Sequence, residues 1–325
     1  MRYILPLIIL FISLSCEQPI AISDRETQTI FLDVTNFPAL RPGAGMYEAW
    51  VSFTSPRFEK NGSTFDNDST FVSIGKFNVG ARGRLFGKDG KPFEPEFAKL
   101  RSRLYMVDAI ITIELESDSD DVPGSVIIGG AITGDEREGR ASLIVDYTDA
   151  FRTNFKLAGG SFLLSAPTSS LASDSTSGVW FMLSVAPESA GLRNLPPLPI
   201  GWKYEGWVSV GCDSDGSFTD QQLYSAGKFI SAFEYDDDKA GSRKGSNGDG
   251  FHFPGSDFSG FNLNCGNSSV GISIEPEPDN DPLAPFSTLM LFDWTRIPEN
   301  APQGRSFTMT NIAESFPTAK LTILR

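Results

Sequence analysis

The chain has 325 residues, 40% of them hydrophobic and 12% aromatic. That is enough for two ordinary domains with real cores, and too apolar for a disordered polypeptide. A formal net charge of −14 repels polyphosphate and disfavours nucleic acid as a partner.

The first predicted element is a leader. Arg2 supplies one positive charge, Ile4 to Ile12 is almost wholly apolar, and small residues lead into Cys16. This is the order of a secretory signal, and at about 15 residues it is too short to cross a bilayer core, which needs roughly 20. Leu14-Ser15-Cys16 resembles the lipobox of bacterial lipoproteins, although Ser13 stands where that pattern usually has Leu. The resemblance implies a signal peptide over residues 1–15, a diacylated Cys16 as first mature residue, and attachment to the membrane through that lipid. Residues 16–27 then read as a tether, since no apolar pattern is sustained there. The implied location is the bacterial cell envelope, periplasmic or outer-surface, and Glu17 after the anchor leans toward the outer membrane.

From residue 28 the chain reads as short strands punctuated by turns. Ala109–Leu115 and Ser142–Tyr147 are apolar, β-branched runs bounded by turn residues. Asp-Gly and Asn-Gly pairs and the 31 Gly and 21 Pro punctuate the chain too often for long helices. The pattern is then repeated. Tyr47-Glu48-Ala49-Trp50-Val51-Ser52 recurs as Tyr204-Glu205-Gly206-Trp207-Val208-Ser209, and Ser73-Ile74-Gly75-Lys76-Phe77 as Ser225-Ala226-Gly227-Lys228-Phe229. Ile111–Glu114 matches Ile272–Glu275, Ser125–Ile128 matches Ser287–Met290, and Phe151-Arg152-Thr153 echoes Phe316-Pro317-Thr318. Five matches in one order indicate an internal duplication. The expected fold is therefore all-β: two tandem antiparallel β-sandwiches over 28–168 and 178–325, joined by a small polar linker at 169–177 that reads as flexible. An up-and-down barrel per copy is the alternative architecture.

Strand alternation places Tyr47, Ala49, Val51 and Phe53 on one face, expected to be core, and Glu48, Trp50 and Ser52 on the other. Glu205 and Trp207 repeat this second face. Two readings apply to it: a ligand surface where something stacks on indole, or, more in keeping with buried aromatics, a Trp packed under a loop with its Glu satisfied by backbone or Lys.

The motif order Tyr-Glu-x-Trp-Val, Ser-x-Gly-Lys-Phe and Ile-x-Ile-Glu, with Glu275-Pro276 closing the last in the second copy, resembles the extracytoplasmic domain of anti-sigma-K factors. The resemblance covers about 100 residues of each copy and implies a sandwich fold outside the cytosol. Family members carry a cytoplasmic sigma-binding domain and a membrane helix before this domain; here a leader runs directly into the module. The resemblance therefore implies a fold and a compartment, with sensing or partner binding as its functional extension.

With Cys16 assigned to the lipid, Cys212 and Cys265 are expected to pair, as cysteines of exported domains do. Ser73–Lys76 and Ser225–Lys228 satisfy Ser-x-x-Lys, but the Ser-Asp-Asn and Lys-Thr-Gly elements of penicillin-recognising enzymes are missing. His252 is the sole histidine, and the chain has no Gly-x-Ser-x-Gly elbow to set a nucleophile beside it. Asp66-Asn67-Asp68, Asp213-Ser214-Asp215, Asp236-Asp237-Asp238 and Asp279-Asn280-Asp281 are oxygen-rich, yet none follows the twelve-residue calcium loop; calcium is weighed against solvated turns, and turns are preferred. The sequence thus points to a non-enzymatic envelope lipoprotein that binds an envelope protein or polymer or serves a structural role. A regulatory role in an anti-sigma pathway is the alternative, and an envelope polymer hydrolase comes third.

Overall fold

A computed structural model describes residues 20–21, 29–54, 56–59, 62–65, 70–96, 105–135, 137–211, 222–245 and 248–324. The architecture is all-β, built of antiparallel sheets, with short 3-10 turns and no α-helix among the described residues.

In the first copy, β1 is Thr29–Thr35, β2 Met46–Thr54, β3 Thr70–Val79, β4 Tyr105–Glu114, β5 Ser125–Ala131, β6 Glu138–Leu143 and β7 Gly160–Leu164. In the second, β8 is Gly178–Trp180, β9 Trp202–Val210, β10 Gln222–Phe229, β11 Gly255–Asp257, β12 Ser269–Pro276, β13 Met290–Arg296, β14 Ser306–Met309 and β15 Thr318–Leu324. The motif-bearing strands form equivalent sheets, ordered β3-β2-β4-β5 in one copy and β10-β9-β12-β13 in the other.

The remaining strands cross between the copies. β15, the last strand of the second copy, lies between β1 and β6 of the first, paired over the full length of both. β7, the last strand of the first copy, lies between β8 and β14 of the second. Each copy therefore completes the other's second sheet. The exchange follows from side-chain alternation: Ala319, Leu321 and Ile323 of β15 are buried while Thr318, Lys320 and Leu324 are exposed, so one face of the strand must be covered by a core. That core is continuous from Ile30 to Ile323 and contains residues of both copies. Phe151 packs on Trp202 with ring centroids 4.9 Å apart, and Phe155 on Phe316 at 5.5 Å.

Two expectations about the connectors are corrected. The stretch 169–177 is not a loose linker: Ser169, Asp174 and Ser177 are buried, and the Ser169 hydroxyl donates to Asp174 at 2.7 Å. It has to turn tightly because β7 and β8, on either side of it, pair with one another. The tether is also interrupted. Ile20 and Ala21 form a short strand paired with Met106 and Tyr105 of β4. The leader, Cys16 and residues 22–28 lie outside the described residues.

Candidate functional site

The polar residues shared by the two copies converge on two equivalent buried clusters. β2 and β9 are central strands, flanked on both edges and buried on both faces. Glu48 and Glu205 are each 3% exposed, Trp50 1% and Trp207 0%. The face of Glu48, Trp50, Glu205 and Trp207, considered as a surface for a stacked ligand, is thus interior. The alternation was right, but the polar side faces inward against partners of its own. The indole N–H of Trp50 donates to Thr112 at 2.9 Å, and that of Trp207 to Ser273 at 2.9 Å.

The Ser-x-Gly-Lys motif is a bulge rather than a nucleophile motif. In a regular strand, residues three apart point to opposite faces. Here the pairing of β2 with β3 slips between Ala49 and Trp50, and that of β9 with β10 between Glu205 and Trp207. The extra residue turns both Ser and Lys toward the glutamate. Gly75 and Gly227 carry the strain at φ 125° and 100°, a conformation that favours glycine. The Gly75 N–H donates to the Ser73 hydroxyl and Gly227 N–H to Ser225, both at 3.1 Å. Each serine donates in turn to its glutamate, Ser73 to Glu48 and Ser225 to Glu205.

The next strand adds the second acid. Glu114, near the C-terminal end of β4, accepts from the Thr112 hydroxyl and from Gly124 N–H at 2.7 Å. Glu275 of β12 accepts from Ser273 and from Phe286 N–H at 2.8 Å. The loop beyond supplies an aspartate. Lys76 Nζ lies 2.6 Å from Asp118 and 3.4 Å from Glu48; Lys228 Nζ lies 2.9 Å from Asp279, 3.6 Å from Glu277 and 3.8 Å from Glu205. One oxygen each from Glu48, Glu114 and Asp118 lies within 4.8 Å of the others, and the same holds for Glu205, Glu275 and Asp279.

One ammonium faces at least three carboxylates in each cluster, and burying surplus charge is costly. The glutamates respond with raised proton affinity. Burial raises Glu48 and Glu114 above the usual carboxylate range, against the hydrogen bonds from Ser73, Thr112 and Gly124. Burial raises Glu205 to about 7 and Glu275 to about 8, and their mutual repulsion adds to the rise in Glu275. Lys76 and Lys228 are raised although burial opposes it, because hydrogen bonds to Asp118 and Asp279 and the surrounding carboxylates hold the proton. Asp118 is lowered, chiefly by its hydrogen bond from Lys76.

The two clusters differ in what lies beyond them. Glu275 and Asp279 reach the wall of a cavity of about 460 Å³ between the copies, closed on its other side by Leu40 and Arg41. Arg41 bridges the copies through a 2.8 Å ion pair with Asp281. The acidic triplets weighed for calcium are otherwise engaged. Asp236 and Asp238 accept from the backbone at Gly255 and Ala240, Asp237 pairs with Lys203 at 2.6 Å, and Asp279 and Asp281 face Lys228 and Arg41. Asp66–Asp68 and Asp213–Asp215 lie outside the described residues. His252 is exposed and sets its ring edge-on to Tyr235 at 4.4 Å. Cys265 is disulfide-bonded; Cys212, its expected partner, lies outside the described residues.

The sequence reading singled out Glu48 and Glu205, weighed Lys76 and Lys228 only within Ser-x-x-Lys and Asp279 only within a calcium triplet, and did not join them to Glu114, Asp118 or Glu275. Their signal was present: Asp118 and Asp279 stand four residues after Glu114 and Glu275 in both copies. No protein family, curated protein or solved structure matches the chain.

Proposed function

We propose that this chain is a non-enzymatic envelope lipoprotein, acylated at Cys16, whose interlocked sandwiches form a rigid body for partner binding or envelope structure. The observation that supports this most is the place of the shared chemistry. The residues that recur in both copies are spent on sealing the interior, and each lysine neutralises two of the acids gathered there, Lys76 those of Glu48 and Asp118 and Lys228 those of Glu205 and Asp279. A duplicated body can engage two copies of a partner at once and gain avidity from it. The resemblance to anti-sigma-K outer domains fits the same reading. Its motif residues Tyr47, Glu48, Trp50, Tyr204, Glu205 and Trp207 are interior ones, as expected of an inherited scaffold whose partner surface has diverged; a sensing role in an anti-sigma pathway belongs to this reading as its regulatory form. The proposed Cys212–Cys265 bond suits an oxidising compartment.

The experiment is metabolic labelling of the full chain with radioactive palmitate, alongside membrane fractionation. The native chain is expected to take up label and sediment with membranes, and Cys16→Ser to do neither. An unlabelled, soluble native chain overturns the proposal.

One observation favours a second reading, an envelope polymer hydrolase. Glu205 and Glu275 are close carboxylates with raised proton affinity, and Glu275 borders the cavity between the copies, which is the arrangement acid–base hydrolysis uses. Against it, Glu275 is 1% exposed and tied to Ser273 and Phe286. Turnover of purified peptidoglycan or envelope polysaccharide that is lost in Glu275→Gln decides for the hydrolase.

A further inference from the structure

The geometry points to a fixed orientation on the membrane, with the edge of the first copy at Met106, Val107 and Thr133 lying against the bilayer surface and the acidic loop after β4 held away from it. This rests on the acylation of Cys16 proposed above.

The short strand Ile20–Ala21 carries the inference. Ile20 is four positions beyond Cys16, and a fully extended chain spans at most about 3.6 Å per residue, so Ile20 lies within roughly 14 Å of the lipidated residue. Ile20 is not free to wander, because it is laddered to Met106. The whole body is therefore leashed at that edge. Had the tether been free through residue 28, it would have allowed about three times that reach.

The surroundings of this edge are consistent with such a contact. Ile20–Ala21 continues the edge that β5 occupies from Asp108 onward, and Ile132 N–H donates to Val107 at 2.8 Å, bringing the exposed strand Thr133–Gly134 alongside. Glu116, Asp118, Asp120 and Asp121 lie beyond the opposite end of β4. Eight residues at about 3.3 Å each put Glu114 roughly 26 Å along the strand from Met106. The acidic loop after β4 is thus at the far end, whereas the turn beyond Thr133 interleaves Asp135 and Glu138 with Arg137 and Arg140. The contacts of Arg41 with Asp281 and of Ser125 with Gly201 are at that far end too, which places part of the second copy on the distal side.

The test uses the full lipidated chain in phosphatidylethanolamine–phosphatidylglycerol vesicles containing headgroup-quencher lipid. Fluorophores are placed singly at Thr133→Cys and Ser119→Cys, both exposed positions. Severalfold stronger quenching at 133 than at 119 is expected. A flexible Gly/Ser insertion of about 12 residues after Pro19 is expected to bring the two sites close to equal, because such a segment lets the ends separate by roughly 20 Å on average. Equal quenching without the insertion, or stronger quenching at 119, overturns the orientation. Palmitate uptake and vesicle co-sedimentation are scored on the same samples. Their failure refutes the acylation at Cys16, whereas bound protein with the wrong quenching order refutes only the orientation.

Discussion

At the scale of single residues, the molecule solves one problem twice: how to bury several acids beside one lysine. The solution has a pH signature. Below about pH 4.5 both folded and unfolded chains hold the protons of Glu205 and Glu275. Between there and the folded values of about 7 and 8, the unfolded chain releases protons that the folded chain keeps. Stability is therefore full at the acid end of this window and is lost as pH rises through it. Glu275→Gln keeps an acceptor for Phe286 N–H and removes the titration. Calorimetry is expected to show the native melting temperature falling from pH 5 to pH 8.5, and the variant falling less, by roughly 2–4 °C for each kcal/mol relieved. Parallel curves for the two proteins would rule out Glu275 as a source of the slope.

At the scale of elements, much was legible. The duplicated motifs located the paired strands, and alternation assigned Tyr47, Ala49, Val51 and Phe53 to the core correctly. What alternation could not show was whether the opposite face met water. A Glu-x-Trp-x-Ser face admits both readings; the buried one, preferred for its aromatic, is the one found, and the Glu48 carboxylate meets Lys76, which Asp118 holds in turn. The bulge was hidden for a related reason. Ser73 and Lys76 look incompatible with one face until the slip at Gly75 is known. The destination of β15 was not legible either, since Ala319, Leu321 and Ile323 specify a half-buried strand but not whose sheet it enters. That destination is testable. Leu321→Ala is expected to cost roughly 2–5 kcal/mol. In hydrogen exchange its loosening is expected in β1 and β6 of the first copy, some 180 to 290 residues away along the chain. Loosening confined to β12 and β13 would contradict the exchange.

At the scale of the whole molecule, the reciprocal strands and the continuous core make the two copies one cooperative unit. Thermal unfolding is expected as a single transition, with calorimetric and van't Hoff enthalpies in agreement. Reducing the disulfide at Cys265, proposed to close a loop to Cys212, relaxes a constraint on the unfolded chain worth about 4 kcal/mol in the loop-entropy account. The full transition is expected to move to lower temperature with reductant. A second, separately melting component would show that the copies unfold independently.

The placing of β15 also sets the timetable of folding. Synthesis runs from the N-terminus, so β1 and β6 exist long before the strand that fills the gap between them. Until Thr318–Leu324 arrives, the leading half presents two unpaired strand edges, and such edges invite mispairing. A chain interrupted before Thr318 would leave the gap between β1 and β6 open, whatever the state of the sheet that β7 completes.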